Sequence, residues 1–255
     1  MSAVELERRE RVAIAAINRP DARNAVNGDV ANGMEAILDE LEGDDDIQAV
    51  VITGRGPTFC AGADLKKVAK GEGGDLATKR GGFGGIVTRD FPKPLIAAVN
   101  GPALAGGFEL VLACDLVIAA EDAVFGLPEA KRGLFAAAGG LIRLPKRIPL
   151  ALATEVAITG DPIDATRAFQ LGLVNRLVPA DQVVDAAVEL AGRIARNGPL
   201  AVKNSLKMLR EAGDLSDEDA WRRNYELATE VFASKDSIEG ATAFAEKREP
   251  RWTGT

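Results

Sequence analysis

Two stretches of this chain place small residues where a backbone could do chemistry, and glutamates follow. The first runs Val50-Val51-Ile52-Thr53-Gly54, a short loop, then Phe59-Cys60-Ala61-Gly62-Ala63-Asp64-Leu65. The second runs Ile96-Ala97-Ala98-Val99-Asn100-Gly101, then Ala105-Gly106-Gly107-Phe108-Glu109. In each, an apolar run of strand length leads to small residues at what reads as a helix start. The first amides of a helix have no intrahelical acceptor and carry the positive end of its dipole. Small side chains let a ligand approach them closely. Two such amides converging on one carbonyl oxygen would make an oxyanion hole. Glycines needed only for close packing leave the same signature, so neither junction decides the matter alone. Glu109 falls in the first helical turn, where the dipole also favours a carboxylate for structural reasons. Glu129, in Leu127-Pro128-Glu129, equally suits a helix start.

The rest of the composition narrows the chemistry. The 255 residues include no His and two Cys. Imidazole bases and nucleophile systems built on His are therefore excluded. Cys60 and Cys114 cannot form a four-thiolate zinc site, sit in apolar surroundings and read as buried small hydrophobes. Asp44-Asp45-Asp46 lacks the Gly and distal Glu of a calcium loop and reads as a solvated turn; no metal site is expected. No GxGxxG follows a strand, which speaks against a nicotinamide dehydrogenase. The net charge of −7 argues against nucleic acid as a partner, because such binding rests on a basic face. No apolar stretch approaches the roughly 18 residues of a membrane span, and the region from Met1 to Val12 holds no apolar leader core. With two unpaired thiols, the cytoplasm is the expected compartment.

These candidates need elements to hold them. Val4 to Glu7 alternates and Val12 to Ile17 is apolar, predicting a hairpin that turns at Arg8-Arg9-Glu10. From Asp29 the positions Val30, Met34, Ile37, Leu38 and Leu41 follow helical spacing up to Gly43. Ala49–Thr53, Leu95–Val99, Leu116–Ala119 and Ala123–Phe125 read as buried strands. Lys70 to Gly85 holds seven glycines and is expected to be a mobile loop or short helix. Beyond Leu141 the pattern is mainly helical, with periodic segments at Ala165–Leu171, Asp181–Arg196, Leu200–Leu209, Asp217–Phe232 and Ser237–Lys247. Asn197-Gly198-Pro199 is the clearest punctuation. It divides an α/β core, residues 1–197, from a helical C-terminal subdomain, residues 198–255. Aromatics are 5% of the chain, so the core must be packed mostly with Ala, Val, Leu and Ile.

Taken in order, Ala61-Gly62-Ala63-Asp64-Leu65, Asn100-Gly101 through Gly106-Gly107-Phe108-Glu109, Phe125-Gly126-Leu127-Pro128-Glu129, Gly139-Gly140 and Arg143-Leu144 resemble the enoyl-CoA hydratase/isomerase (crotonase) family. The likeness extends to Arg19-Pro20, Asn24-Ala25, Thr159-Gly160, Gly172-Leu173-Val174, Phe244 and Glu246-Lys247-Arg248, and so covers nearly the whole chain. It implies an α/β spiral of repeated β-β-α units with C-terminal helices that assemble trimers, usually paired into hexamers. It also implies an acyl-CoA thioester as substrate and no cofactor beyond the CoA that the substrate carries.

By the same resemblance, the amides of Ala63 and Gly106 would bind the thioester carbonyl. Arg23, Ala25, Ala61, Ala63, Asp64 and Leu65 would lie along the CoA, and Phe244 and Lys247 would reach a neighbouring subunit's CoA. Members that hydrate a 2-enoyl-CoA carry Glu at both positions matching Glu109 and Glu129. The expected activity is therefore a hydro-lyase, with Glu109 activating water and Glu129 protonating the α-carbon. Isomerisation, dehydration of a specialised hydroxyacyl-CoA such as a carnitinyl thioester, and non-catalytic acyl-CoA binding are the alternatives. One departure stands out: Phe135-Ala136-Ala137-Ala138 occupies the stretch where the family often has Pro-Gly. The Ala137 amide could still meet the water, but its Cβ changes the acyl pocket.

Overall fold

The computed structural model describes residues 2–71 and 73–255. Its centre is a six-stranded sheet in the order β1-β2-β3-β6-β8-β11. The members are β1 (Val4–Arg9), β2 (Val12–Ile17), β3 (Ala49–Gly54), β6 (Leu95–Val99), β8 (Leu116–Ala120) and β11 (Arg176–Val178). Only β1 runs antiparallel to its neighbour; every other pairing is parallel. Every residue of β2, β3 and β6 is buried. Continuous apolar strands of this kind belong to a sheet covered on both faces.

Helix α1 (Gly28–Glu42) packs on β1 and β2, its start fixed by the Asn27 side chain accepting from Val30 N–H at 3.1 Å. Helix α7 (Val183–Ala195) crosses β2, β3, β6 and β8. Its buried positions Val183, Ala187, Ala191 and Ala195 recur every four residues. They meet a sheet rich in alanine, including Ala97, Ala98 and Ala119. Small residues on both sides let helix and sheet approach closely, which is how a core with few aromatics is filled.

Short strands turn away from the ends of the long ones. Strands β7 (Ala103–Leu104), β9 (Val124–Gly126) and β10 (Ile163–Asp164) form a second sheet in the order β10-β9-β7, and Cys60 bridges Ala103 at its open edge. Each turn of the chain therefore supplies a long strand, a short one and a following helix or helical turn: α2 (Leu65–Val68), then α3 (Gly106–Ala113), then the 3-10 turn Pro128–Arg132. Helices α4 (Gly140–Arg147), α5 (Leu150–Thr159) and α6 (Ala165–Gln170) continue the core. Residue 197 lies between α7 and α8 (Pro199–Glu211). Beyond it, α8 packs on α9 (Asp217–Phe232), and α9 on α10 (Lys235–Glu246).

Several expectations need correction. The hairpin turns at Glu10-Arg11, with Arg8 and Arg9 still paired in β1. Within the mainly helical stretch after Leu141, Arg176–Val178 completes the main sheet beside β8, a strand that the periodicity did not show. Part of Lys70 to Gly85, at Glu72, lies outside the described residues; its remainder forms a 3-10 turn and a two-stranded ribbon, β4 (Ala77–Thr78) with β5 (Gly82–Phe83). Gly81, Gly82, Gly84 and Gly85 serve close packing. A Cβ on Gly85 would stand 2.3 Å from the Ala31 carbonyl, and one on Gly81 would stand 2.1 Å from that of Gly85.

Candidate active site

The two small-residue junctions lie side by side. Cys60 N–H donates to Pro102 O at 3.3 Å, and Leu104 N–H donates to Cys60 O at 3.0 Å. Two residues further along both segments, Gly62 passes Gly106. A Cβ on Gly62 would stand 3.0 Å from Gly106 N, and one on Gly106 would be 2.5 Å from the Phe83 ring. Glycine is needed at both positions, and Ala63 and Gly106 both line the same cavity.

The two amides are freed in different ways. Gly106 begins α3, so its N–H has no intrahelical acceptor. The bend before it is taken by Ala105, at φ 53° and ψ −132°, which L side chains rarely adopt. Ala63 is not a helix-start amide, contrary to the sequence expectation: α2 begins only at Leu65 and is four residues long. Instead Ala63 forms an isolated parallel bridge with Val26. Val26 N–H donates to Gly62 O at 2.8 Å and Asp64 N–H donates to Val26 O at 2.9 Å. Amides alternate along an extended chain, so the residue between those two bonds turns its own N–H the other way. Neither amide has an acceptor among the described residues.

Glu109 projects from α3 into the same cavity and is almost completely buried. Its Oε1 accepts the Gly140 amide at 2.8 Å. Burial pushes its carboxyl above the ordinary carboxylate range; the Gly140 amide opposes that rise and the charge of Glu129 adds to it. Glu129, on the Pro128–Arg132 turn, also lines the cavity, and its Oε2 is buried with no partner in the protein. Burial raises it too, against its own backbone amide and the nearby Arg132. Two carboxyls with raised affinity for protons, Glu109 buried and Glu129 half-buried with one uncommitted buried oxygen, line one cavity and are suited to exchanging protons with a bound molecule.

The cavity is large, about 1740 Å³. Phe83, Val87, Leu134, Phe135 and Ile142 are part of its apolar wall, and α8 adds Leu206 and Leu209. Arg23, Ala61, Ala63, Leu65, Gly106, Glu109, Glu129 and Ala137 are all on this wall. Arg23 is held there in the left-handed region, at φ 51°, and its carbonyl accepts Ala61 N–H at 3.0 Å. The buried Asn24 beside it anchors the loop by donating to Thr58 O at 2.6 Å.

Four expected binding residues lie elsewhere. Asp64 pairs with Arg19 at 3.0 Å, and the Ala25 carbonyl accepts from the same guanidinium. Arg19 thus ties together the two segments that carry Arg23 and Ala63. Phe244 stands exposed on α10 and Lys247 caps that helix in the left-handed region, both off this chain's cavity. The thiols of Cys60 and Cys114 are buried and pushed up to about 12, so neither supplies a thiolate. Of the Lys131-Arg132 pair, Lys131 is bound to Asp161 while Arg132 faces the cavity. Sequence reasoning missed Phe83, whose glycine-flanked position read as a loop, and Arg143, which reaches the cavity from α4.

Comparison with known proteins gives a consistent picture. The family model described as enoyl-CoA hydratase/isomerase matches residues 7–255. The chain is 40% identical over 253 residues to enoyl-CoA hydratase EchA19 of Mycobacterium tuberculosis, covering 97% of this chain and 95% of that protein. It is 41% identical over 244 residues to the carnitinyl-CoA dehydratase of Proteus mirabilis, covering 93% of each. Among solved structures, an enoyl-CoA hydratase from Mycobacterium tuberculosis H37Rv superposes with a TM-score of 0.96 at 49% identity over the full length of both chains.

Proposed function

The chain belongs to the enoyl-CoA hydratase/isomerase family, and from that premise we propose that it is a hydro-lyase adding water reversibly across the 2,3 double bond of a 2-enoyl-CoA thioester. The observation that carries the reading is that two residues with acceptor-free amides and two carboxyls, one buried and one half-buried, line one cavity. The Ala63 and Gly106 amides bind the thioester carbonyl oxygen and stabilise the negative charge that collects there as the β-carbon is attacked. One such donor is worth about 3–4 kcal/mol of barrier. Glu109 and Glu129 hold a water between them. Its oxygen bonds to the β-carbon, the proton it loses passes to Glu109, and Glu129 delivers a proton to the α-carbon. Each positioned acid or base contributes roughly 10²–10⁴-fold.

CoA is part of the substrate and the chemistry needs no resident cofactor. Arg23 meets a phosphate of the CoA, a role supported by its exposed position on the cavity wall. The apolar side chains that α9 and α10 leave exposed support assembly into trimers or hexamers, with Phe244 and Lys247 brought to a neighbour's site. Cytoplasmic acyl-CoA metabolism is the setting; no helix among the described residues is long and apolar enough to cross a membrane. The relatives named carnitinyl-CoA dehydratase support a second reading, dehydration of a specialised hydroxyacyl-CoA on the same groups. A panel of 2-enoyl-, 3-enoyl- and 3-hydroxyacyl-CoA esters separates the readings. Loss of the conjugated thioester absorbance with crotonyl-CoA or a longer 2-enoyl-CoA is the expected result. Double-bond migration without water addition, or binding without turnover, would overturn it.

A further inference from the structure

Helix α4 starts immediately after the turn that faces Glu109, and Arg143 lies on its first turn. Helical side chains lean toward the N-terminus of their helix, and this one folds back over Gly139. Its Nη1 donates to the Ala138 carbonyl at 3.5 Å and its Nη2 to the Val87 carbonyl. A Cβ on Gly139 would stand 2.1 Å from Nη1, so the guanidinium lies directly over this glycine, whose φ of 100° already disfavours other residues. The amides of Gly140 and Ala138, on either side of the gripped peptide, support the Glu109 carboxylate. A Cβ on Gly140 would press to 3.1 Å from Glu109 Oε1, which shows how closely the turn is fitted to that side chain.

We propose that Arg143 is a positioning residue: by gripping the Ala138 and Val87 carbonyls it holds the turn whose amides aim Glu109 into the cavity. This rests on the hydratase reading for its catalytic consequence, though the geometry stands without it. The charged and titratable groups around Glu109 are Glu129 on the Pro128–Arg132 turn and Arg143 on α4. Around Arg143 they are Glu109, Arg147 and Cys114. Arg143 is thus the cation acting on Glu109, and it opposes the effects of burial and of Glu129.

The test uses Arg143→Met and Arg143→Lys in the full chain. Displacing a reacting group by an ångström costs on the order of 100-fold. Arg143→Met should therefore lower kcat about 10–100-fold with KM changed only a few-fold, and should move the acid limb of the kcat profile to higher pH. Arg143→Lys, which keeps the charge but loses the fork, should restore the limb more than the rate. A ¹³C-carboxyl titration of glutamate-labelled protein gives a readout independent of turnover. The resonance missing in Glu109→Gln should titrate at higher pH in Arg143→Met. An unchanged kcat profile and an unchanged Glu109 titration in soluble Arg143→Met would overturn the proposal, as would a full wild-type kcat in Arg143→Lys. If the wild type hydrates no enoyl-CoA while the Glu109 titration still moves, the hydratase reading fails and the positioning role survives.

Discussion

The floor of the cavity and the outer face of the C-terminal helices are built by opposite rules. On the floor, backbones pass close together beside the two carboxyls, and side chains are kept out from between them: added Cβ atoms at Gly62, Gly106 and Gly107 would meet neighbours at 2.8, 2.5 and 2.0 Å. On α9 and α10, large apolar side chains stand in the open, among them Trp221, Tyr225, Phe232, Ile238 and Phe244. The floor is complete within one chain, whereas the outer face buries little until something covers it. A substitution on the floor should therefore be felt in the isolated chain, and one on the outer face only in an assembly.

The largest effect should come from the floor's carboxyls. Glu129→Gln should lower the hydration rate at least about 100-fold. It should also make the protein more stable at neutral pH. Burial raises the folded-state proton affinity of Glu129 above its unfolded value. Its contribution to stability is then fullest below the ordinary carboxylate range and is lost as pH rises through the raised value. Gln does not ionise and loses nothing, so the variant's advantage in urea unfolding should grow as pH rises above the ordinary carboxylate range, about pH 4. A variant that loses activity and stability together would show that Glu129 is structural.

Next is Gly107→Ala, where the new methyl would meet the Cys60 carbonyl at 2.0 Å. Overpacking of this kind costs about 3 kcal/mol, read as a lower urea midpoint at unchanged slope. Retained stability would mean that the two junctions slide freely, which the paired-amide geometry forbids.

These two predictions also mark what was legible in the sequence. Gly106-Gly107 and Glu109 could be singled out because close backbone approach and a carboxylate in a first helical turn each leave a residue-level signature. What the sequence hid was how the Ala63 amide is freed. A four-residue helix at Leu65 and a bridge from Val26, distant in sequence, replace the expected helix start. Arg176–Val178 was lost among helical segments because three residues carry too little periodicity to register. Phe83 was hidden because glycines around it look like a flexible linker unless the contacts at Ala31 and Gly106 are known. The α8–α10 helices were readable from their 3.6-residue pattern, but that pattern does not say which apolar side chains stay uncovered in the single chain.

Between the two regions, α8 is fastened to the core by Arg210. The guanidinium grips Asp115 with two bonds of 2.8 Å and donates to the Phe91 carbonyl at 2.6 Å. Paired geometry makes this stronger than an ordinary surface ion pair, while partial exposure tempers it. Arg210→Ala should cost about 1–2 kcal/mol and weaken with added salt less than a single exposed pair does. Hydrogen exchange should rise in α8 before it rises in β3 or β6. Uniform acceleration across the chain would show that α8 is not a separable wall.

The smallest effect on the isolated chain should come from Phe244→Ser. Phe244 is 87% exposed on α10. Removing it takes little apolar area out of contact with protein and leaves no cavity, so single-chain stability should stay within about 0.5 kcal/mol. Any larger consequence must pass through another chain. In sedimentation velocity the wild type should run as a trimer or hexamer, and Phe244→Ser should shift toward smaller species at low concentration. If this side chain reaches a neighbour's CoA, KM should also rise while kcat of the assembled fraction holds. A variant that leaves mass, KM and stability all unchanged would make the exposed face of α10 a true surface, and the contrast with the cavity floor would then rest on α9 alone.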